Sequence, residues 1–159
     1  MIDKVKQLLV THLGEDCIVA EDSTVKQPYL VISPAKIAEA AALLHRTEGF
    51  YFDFLSSISG VDLGVESGKM MVVYHLASIP YNFQLTLKVE LDRTNPTLPT
   101  VSNTWRAADW HEREAFDLFG IVFEGHPDLR RILLPDDWEG YPLRKDYEAA
   151  EEYKGIKIR

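Results

Sequence analysis

The chain has 159 residues, 46% of them hydrophobic and 26% charged, which suits one globular domain with a sizeable core. Its net charge of −8 leaves no basic footprint for neutralising phosphates, so nucleic acid is excluded as its main partner. No apolar run reaches the ~20 residues of a bilayer-spanning helix, and the opening MIDKVKQLLV lacks a signal peptide's apolar region and cleavage site. The expectation is a chain that meets a membrane only through something else. Its single cysteine, Cys17, rules out an internal disulfide and a cysteine-only metal cage, fits a reducing compartment, and reads as a small core filler.

Taken from the N-terminus, Ile2, Val5, Leu8/Leu9 and His12/Leu13 recur at helical spacing, and Gly14 supplies a stop. Residues 17–19 and 29–32 read as two strands. Ser33 then caps a second helix with Pro34 at its first position; Ile37, Ala40/Ala41 and Leu44 form its apolar stripe, and Gly49 ends it. Phe50, Phe52 and Phe54 alternate with Tyr51, Asp53 and Leu55 and predict a strand. Residues 70–76 are apolar on both faces, as a central strand would be, whereas 83–91 alternate cleanly and have one wet face. Hairpin turns are expected at 64–68 and 79–82, and Pro96 and Pro99 end the sheet. The expected fold class is α+β, a two-layer arrangement in which a mixed or antiparallel sheet is covered by two N-terminal helices.

From Thr100 the spacing turns helical again. Val101, Trp105, Ala108, Glu112, Ala115 and Phe119 share one stripe, which predicts a motif helix over 105–119 stopped by Gly120. Asp109 and Arg113, four apart, read as a solvent-side pair worth a few tenths of a kcal/mol, about what exposed helical pairs give. Beyond residue 133 no period persists. Pro135, Gly140, Pro142 and the closing EAAEEYKGIKIR predict an extended arm over 134–159 that orders against a partner, leaving an α+β domain over 1–133.

Residues 110–146, WHEREAFDLFGIVFEGHPDLRRILLPDDWEGYPLRKD, interleave ions with aromatic and aliphatic groups. Burying the apolar groups drags the ions along, and each then needs a partner. Glu112 on an apolar stripe calls for a cation, and Arg130 and Arg131 are the candidates, since a guanidinium binds a carboxylate with two parallel hydrogen bonds. Simple solvation of both arginines is the alternative. His126 before Pro127 reads either as a turn residue or as an interface hydrogen-bonding group. Trp138, far from any predicted core, reads as a partner anchor.

Familiar catalytic patterns fail. His111-Glu112 opens a zinc-protease motif, but Ala115 stands where the second histidine belongs. Residues 64–69 resemble a phosphate loop that is one residue short and has Met70 in place of a magnesium-holding hydroxyl, so a hairpin turn is the better reading. Glu112 and Glu114, two apart on a helix, point to different sides and make a poor acid–base pair.

Glu112-Arg113-Glu114, Asp117-Leu118-Phe119, His126, Arg130 and Ile132 match, spacing included, a known signature, and GHPDLRRILLPDDW and GYPLRKDY, which carries Arg144, agree with it. Over about residues 105–147 the chain resembles the C subunit of proton-pumping NADH–quinone oxidoreductase, the 30 kDa subunit family of respiratory complex I. The resemblance implies a structural subunit of the hydrophilic arm, with no cofactor or metal of its own and with FMN and iron–sulfur clusters on partner subunits. It implies packing against the D-type quinone-site subunit and near the iron–sulfur subunits, peripherally, on the cytoplasmic face of an energy-transducing membrane. It also implies that the motif residues named above, with Gly120, Pro127, Arg131 and Trp138, form a structural interface. The resemblance gives the expectation of a chain close to a minimal length for that family, without a long C-terminal extension. The rival readings are the equivalent subunit of a membrane-bound hydrogenase or of a quinone reductase fed by another donor, a stand-alone hydrolase using Glu112 or Glu114, and a free-standing adaptor.

Overall fold

In the computed structural model, which describes residues 2–157, the two helix–strand alternations at the N-terminus feed one five-stranded sheet. Helix α1 (Ile2–Leu13) buries Val5 and Leu9, and Gly14, at φ 93°, stops it with its amide on the Val10 carbonyl. His12, expected on the buried stripe, is exposed. Strands β1 (Ile18–Asp22) and β2 (Tyr29–Ile32) pair antiparallel. Ser33 makes no side-chain cap. Pro34 opens a 3-10 turn, Pro34–Lys36, and α2 proper runs Ile37–Arg46, ending before Gly49. Ile37, Ala40, Ala41 and Leu44 are buried as their spacing required.

Strands β3 (Phe54–Asp62), β4 (Lys69–Ser78) and β5 (Phe83–Asp92) form an antiparallel meander, and β5 also pairs parallel with β2. The order is β1-β2-β5-β4-β3, a mixed sheet. Register sets Met70 opposite Leu91, Val72 opposite Val89, Tyr74 opposite Leu87 and Leu76 opposite Leu85, so all eight line one face, where all are buried. Each such apolar side chain contributes ~1.5–3 kcal/mol through burial. Residues 64–68 and 79–82 are the hairpin turns.

Four expectations need correction. The Phe50–Phe54 alternation is not a strand. Tyr51 has φ 36°, which breaks extended backbone, and the Phe52 carbonyl lies against side chains, Trp105 Nε1 at 3.0 Å and His45 Nδ1 at 3.1 Å. The prolines do not end pairing: β6 (Thr97–Pro99) pairs parallel with β7 (Val122–Glu124), held at its ends by Val122 N to Pro96 O and Thr100 N to Glu124 O. Those bonds need no proline amide. The motif helix, α3, begins at Ala108 and ends at Phe119, because residues 101–107 form hydrogen-bonded turns that mimic helical spacing. Finally, α3 covers the sheet alongside the two N-terminal helices. It packs on β3 where Gly60 leaves room, a Cβ there lying 2.7 Å from the Phe119 ring.

Candidate functional site

Part of the signature converges at the C-terminal half of α3, around Asp117. This carboxylate is wholly buried. Its Oδ2 accepts the amides of Ile132 (3.0 Å), Leu133 (2.7 Å) and Leu134 (3.0 Å), and its Oδ1 accepts Arg131 Nη1 at 2.8 Å. Burial works to raise its pKa; the Leu134 and Leu133 amides, the Arg131 guanidinium and the Ile132 amide together outweigh that and hold it below the ordinary value. Arg131 also donates to the Asp117 carbonyl, and through Nη2 to the carbonyls of Trp138 (3.2 Å) and Gly140 (3.0 Å). One guanidinium thus rivets the end of α3 to two stretches of following chain.

Gly120 ends α3 in the left-handed region, φ 74°, and its missing side chain admits Tyr141, whose ring carbons would lie 2.6 Å from a Cβ there. Tyr141 stacks against both Arg131 and Arg144, with guanidinium carbons 5.3 and 4.9 Å from the ring centre. Arg144 Nε donates to the Phe119 carbonyl at 2.7 Å and Leu143 N to the Leu118 carbonyl at 3.1 Å. These bonds satisfy carbonyls that a helix end otherwise leaves open. Farther on, Lys145 N donates to Asp62 Oδ2 at 2.8 Å, and Arg93 joins Asp62 to Asp146. Arg93 grips Asp62 bidentately, which with the Lys145 and Gly64 amides holds that carboxyl far below its ordinary pKa. The first half of the arm is therefore fastened to its own domain. The closing part forms only a small hairpin, β8 (Glu152–Tyr153) with β9 (Ile156–Lys157), and the last two residues lie outside the described ones.

Among the described residues Glu112 has no arginine partner, contrary to the expectation that Arg130 or Arg131 would supply one. It is wholly buried, its Oε1 accepts the Val101 amide at 2.7 Å, its Oε2 meets the Thr100 hydroxyl, and His126 Nε2 stands 3.9 Å away. Burial pushes its pKa up to about 7 against those two hydrogen bonds, so near neutrality a bound proton does much of what a cation would have done. The nearby Tyr74 hydroxyl, also buried, has no hydrogen-bond partner among the described residues. His126 is more than a turn residue. Its side chain is fully shielded, Nδ1 accepts the Asp128 amide at 3.0 Å, and Nε2 therefore carries the proton and faces the Asp109 carbonyl at 3.2 Å. Arg113 is not paired with Asp109 on the solvent side. It is buried, donates to the Arg130 carbonyl at 3.3 Å and stacks over Trp110.

The remaining predicted residues lie outside. The Arg130 side chain is 69% exposed and among the described residues bonds only to Asp128, two residues away. Glu114 and Pro127 are exposed, and Trp138 is half-buried against Tyr153 with a shielded indole nitrogen that finds no acceptor among the described residues. Glu112 and Glu114 diverge, one sealed from solvent and one facing it, an arrangement suited to holding shape rather than to proton transfer. Among the described residues no three His, Cys, Asp or Glu side chains gather as a metal site. Sequence reasoning does not single out Thr100, Asp62, Arg93 or Tyr141. The isolated Tyr141 between Gly140 and Pro142 is the one local signal that could have done so.

Residues 30–153 match the family described as the respiratory-chain NADH dehydrogenase 30 kDa subunit. The C subunit of the NADH-quinone oxidoreductase of Chloroherpeton thalassium is 45% identical over 145 residues, spanning 90% of this chain and 60% of that one. Among solved structures, the trypsin-resistant fragment (1-134) of Nqo5 superposes with a TM-score of 0.54 at 32% identity, over 69% of this chain and 87% of the fragment. A chain of the archaeal membrane-bound sulfane sulfur reductase, a respiratory membrane complex, does so with a TM-score of 0.73 at 25% identity, over 92% of this chain and 85% of that one. Coverage of the curated relatives runs from 45% of their length to 99%, and the chain spans about half the length of several. With the family matched across most of the sequence, the chain belongs to the 30 kDa subunit family of the respiratory-chain NADH dehydrogenase.

Proposed function

We propose that the chain is a structural subunit of the hydrophilic arm of a proton-translocating NADH–quinone oxidoreductase. It carries no redox centre, while FMN and iron–sulfur clusters on partner subunits move electrons from NADH to quinone. Its neighbours are the D-type quinone-site subunit and the iron–sulfur subunits, and it reaches the cytoplasmic face of the membrane only through them. Among the described residues no helix is long and apolar enough to cross a membrane. The observation that carries the reading is the division of labour within the signature. Asp117, Arg131, Arg144 and Gly120 are spent on internal geometry, whereas Arg130, Glu114, Trp110 (63% exposed) and Leu133 (61% exposed) are held outward on that rigid frame. In the same reading the α+β domain spans 1–133, and the arm over 134–159, fastened as far as Asp146, orders its closing segment on the D-type subunit. An obligate contact of this kind buries well over ~2,000 Å².

The test is a tagged pull-down from detergent-solubilised membranes with mass spectrometry of the co-purifying chains. D-type and iron–sulfur subunits are expected; their absence overturns the reading. Arg130→Ala should lower the recovered assembly several-fold while changing the isolated chain's stability by less than about 0.5 kcal/mol, as for surface substitutions generally. The likeness to the sulfane sulfur reductase chain favours one rival, the equivalent subunit of a related respiratory complex fed by another donor. A flavin/NADH module among the co-purifying chains decides for the first reading.

A further inference from the structure

The two edges of the sheet are guarded unequally. Edge strand β1 is five residues long, irregular between Ile18 and Ala20, and ends in Glu21 and Asp22. Edge strand β3 is nine residues long, reads FLSSISGVD, and carries one charge, Asp62, which Arg93 already holds. Among the described residues β3 pairs with β4 alone, so its outer row of amides and carbonyls has no strand neighbour. Natural proteins protect long edges with lysines, prolines, bulges or short length; β3 has no lysine or proline and is not short, and its one irregularity, between Leu55 and Ser57, leaves the run from Ser57 to Asp62 in regular register. Beneath this edge, between β3 and α3, runs a groove of about 210 Å³ lined by Ile58, Gly60, Ala115, Leu118, Phe119 and Leu143. Glu114 is the one charged group on that lining, and its nearest ionisable contact is His111 at 3.9 Å. At the start of the strand Phe54 and Tyr51 are about half exposed.

We infer that β3 is the docking edge for an extended segment of another polypeptide, added as a sixth strand beside it. The segment is apolar at alternate positions, which enter the groove against Leu118 and Leu143, and it places a lysine or arginine beside Glu114. Main-chain pairing supplies the affinity of such strand addition, and the alternate pockets supply its specificity. A second copy of this chain is the weaker occupant, because β3 itself has no cation to offer Glu114. The inference rests on the proposed membership of a multisubunit assembly and names a surface separate from the Arg130 region.

Hydrogen–deuterium exchange read at residue level, on the free chain and on the tag-purified assembly, tests it. Amides within 55–61 that exchange fast in the free chain should slow about a hundredfold or more in the assembly, in an every-second-residue pattern. Exchange at the free-chain rate in a purified assembly overturns the strand addition while leaving the assembly reading intact; failure to recover any assembly counts against that reading instead. Leu143→Glu, which sets a second negative charge in the groove, should reduce partner recovery about tenfold. Wild-type recovery by that variant, with the free chain melting normally, overturns the proposed occupant.

Discussion

Glu112 and Asp117 sit five residues apart on one helix, both wholly buried, and their surroundings drive them in opposite directions. A carboxyl raised from 4.5 to about 7 binds its proton more tightly when folded, so stability falls as pH rises through that window, by roughly 3 kcal/mol in all. Glu112→Gln should remove this slope: urea titrations from pH 5 to 8 should show a flatter profile than wild type, with the variant at least as stable at pH 8. Asp117 has the opposite sign. Its depressed pKa stabilises the fold above its ordinary value of 3.8, and that contribution is lost as pH falls through the folded pKa. Asp117→Ala strands Arg131 and three amides, so a loss of about 3–5 kcal/mol in chemical denaturation is expected at pH 7. The same pH series should place maximal stability on the acid side of neutrality.

At the scale of elements, the end of α3 is held by an absence of side chain. Gly120 combines a left-handed backbone with contact against Tyr141, so Gly120→Ala must shift the ring that Arg131 and Arg144 flank. The backbone strain alone is ~1–2 kcal/mol. A fall of about 1–3 kcal/mol, together with faster trypsin cleavage at Arg144 or Lys145, is the expected outcome. The helix itself was legible from its stripe and its glycine stop, but its first turn was not. Val101 and Trp105 recur at helical spacing because turns bury the same side that a helix would. The Phe50–Phe54 alternation misleads for a related reason: burial of Phe52 shows in the pattern, whereas the positive φ of Tyr51 does not.

At the scale of the molecule, one chain contains a domain, a strap and a closing hairpin that contacts Asp137 and Trp138 through Tyr153 and Lys154. Ending the chain after residue 147 should leave the melting temperature nearly unchanged and impair assembly recovery. Ending it after residue 133 removes Tyr141, Arg144, Lys145 and Asp146 from their contacts, and a drop of several degrees is expected in a calorimetric scan. Sequence alone settled the α+β class, the meander, the covered face and the family, because each is written in local spacing or in a contiguous signature. It also showed that Glu112 would be buried. Which group satisfies each buried ion was decided only by the tertiary structure. Asp117 takes Arg131, Glu112 takes Thr100 and the Val101 amide, and Asp62 takes Arg93 across 31 residues of sequence. Partners brought together by the fold leave no period in the chain, and a buried carboxyl can be balanced by an arginine, by amides or by its own proton.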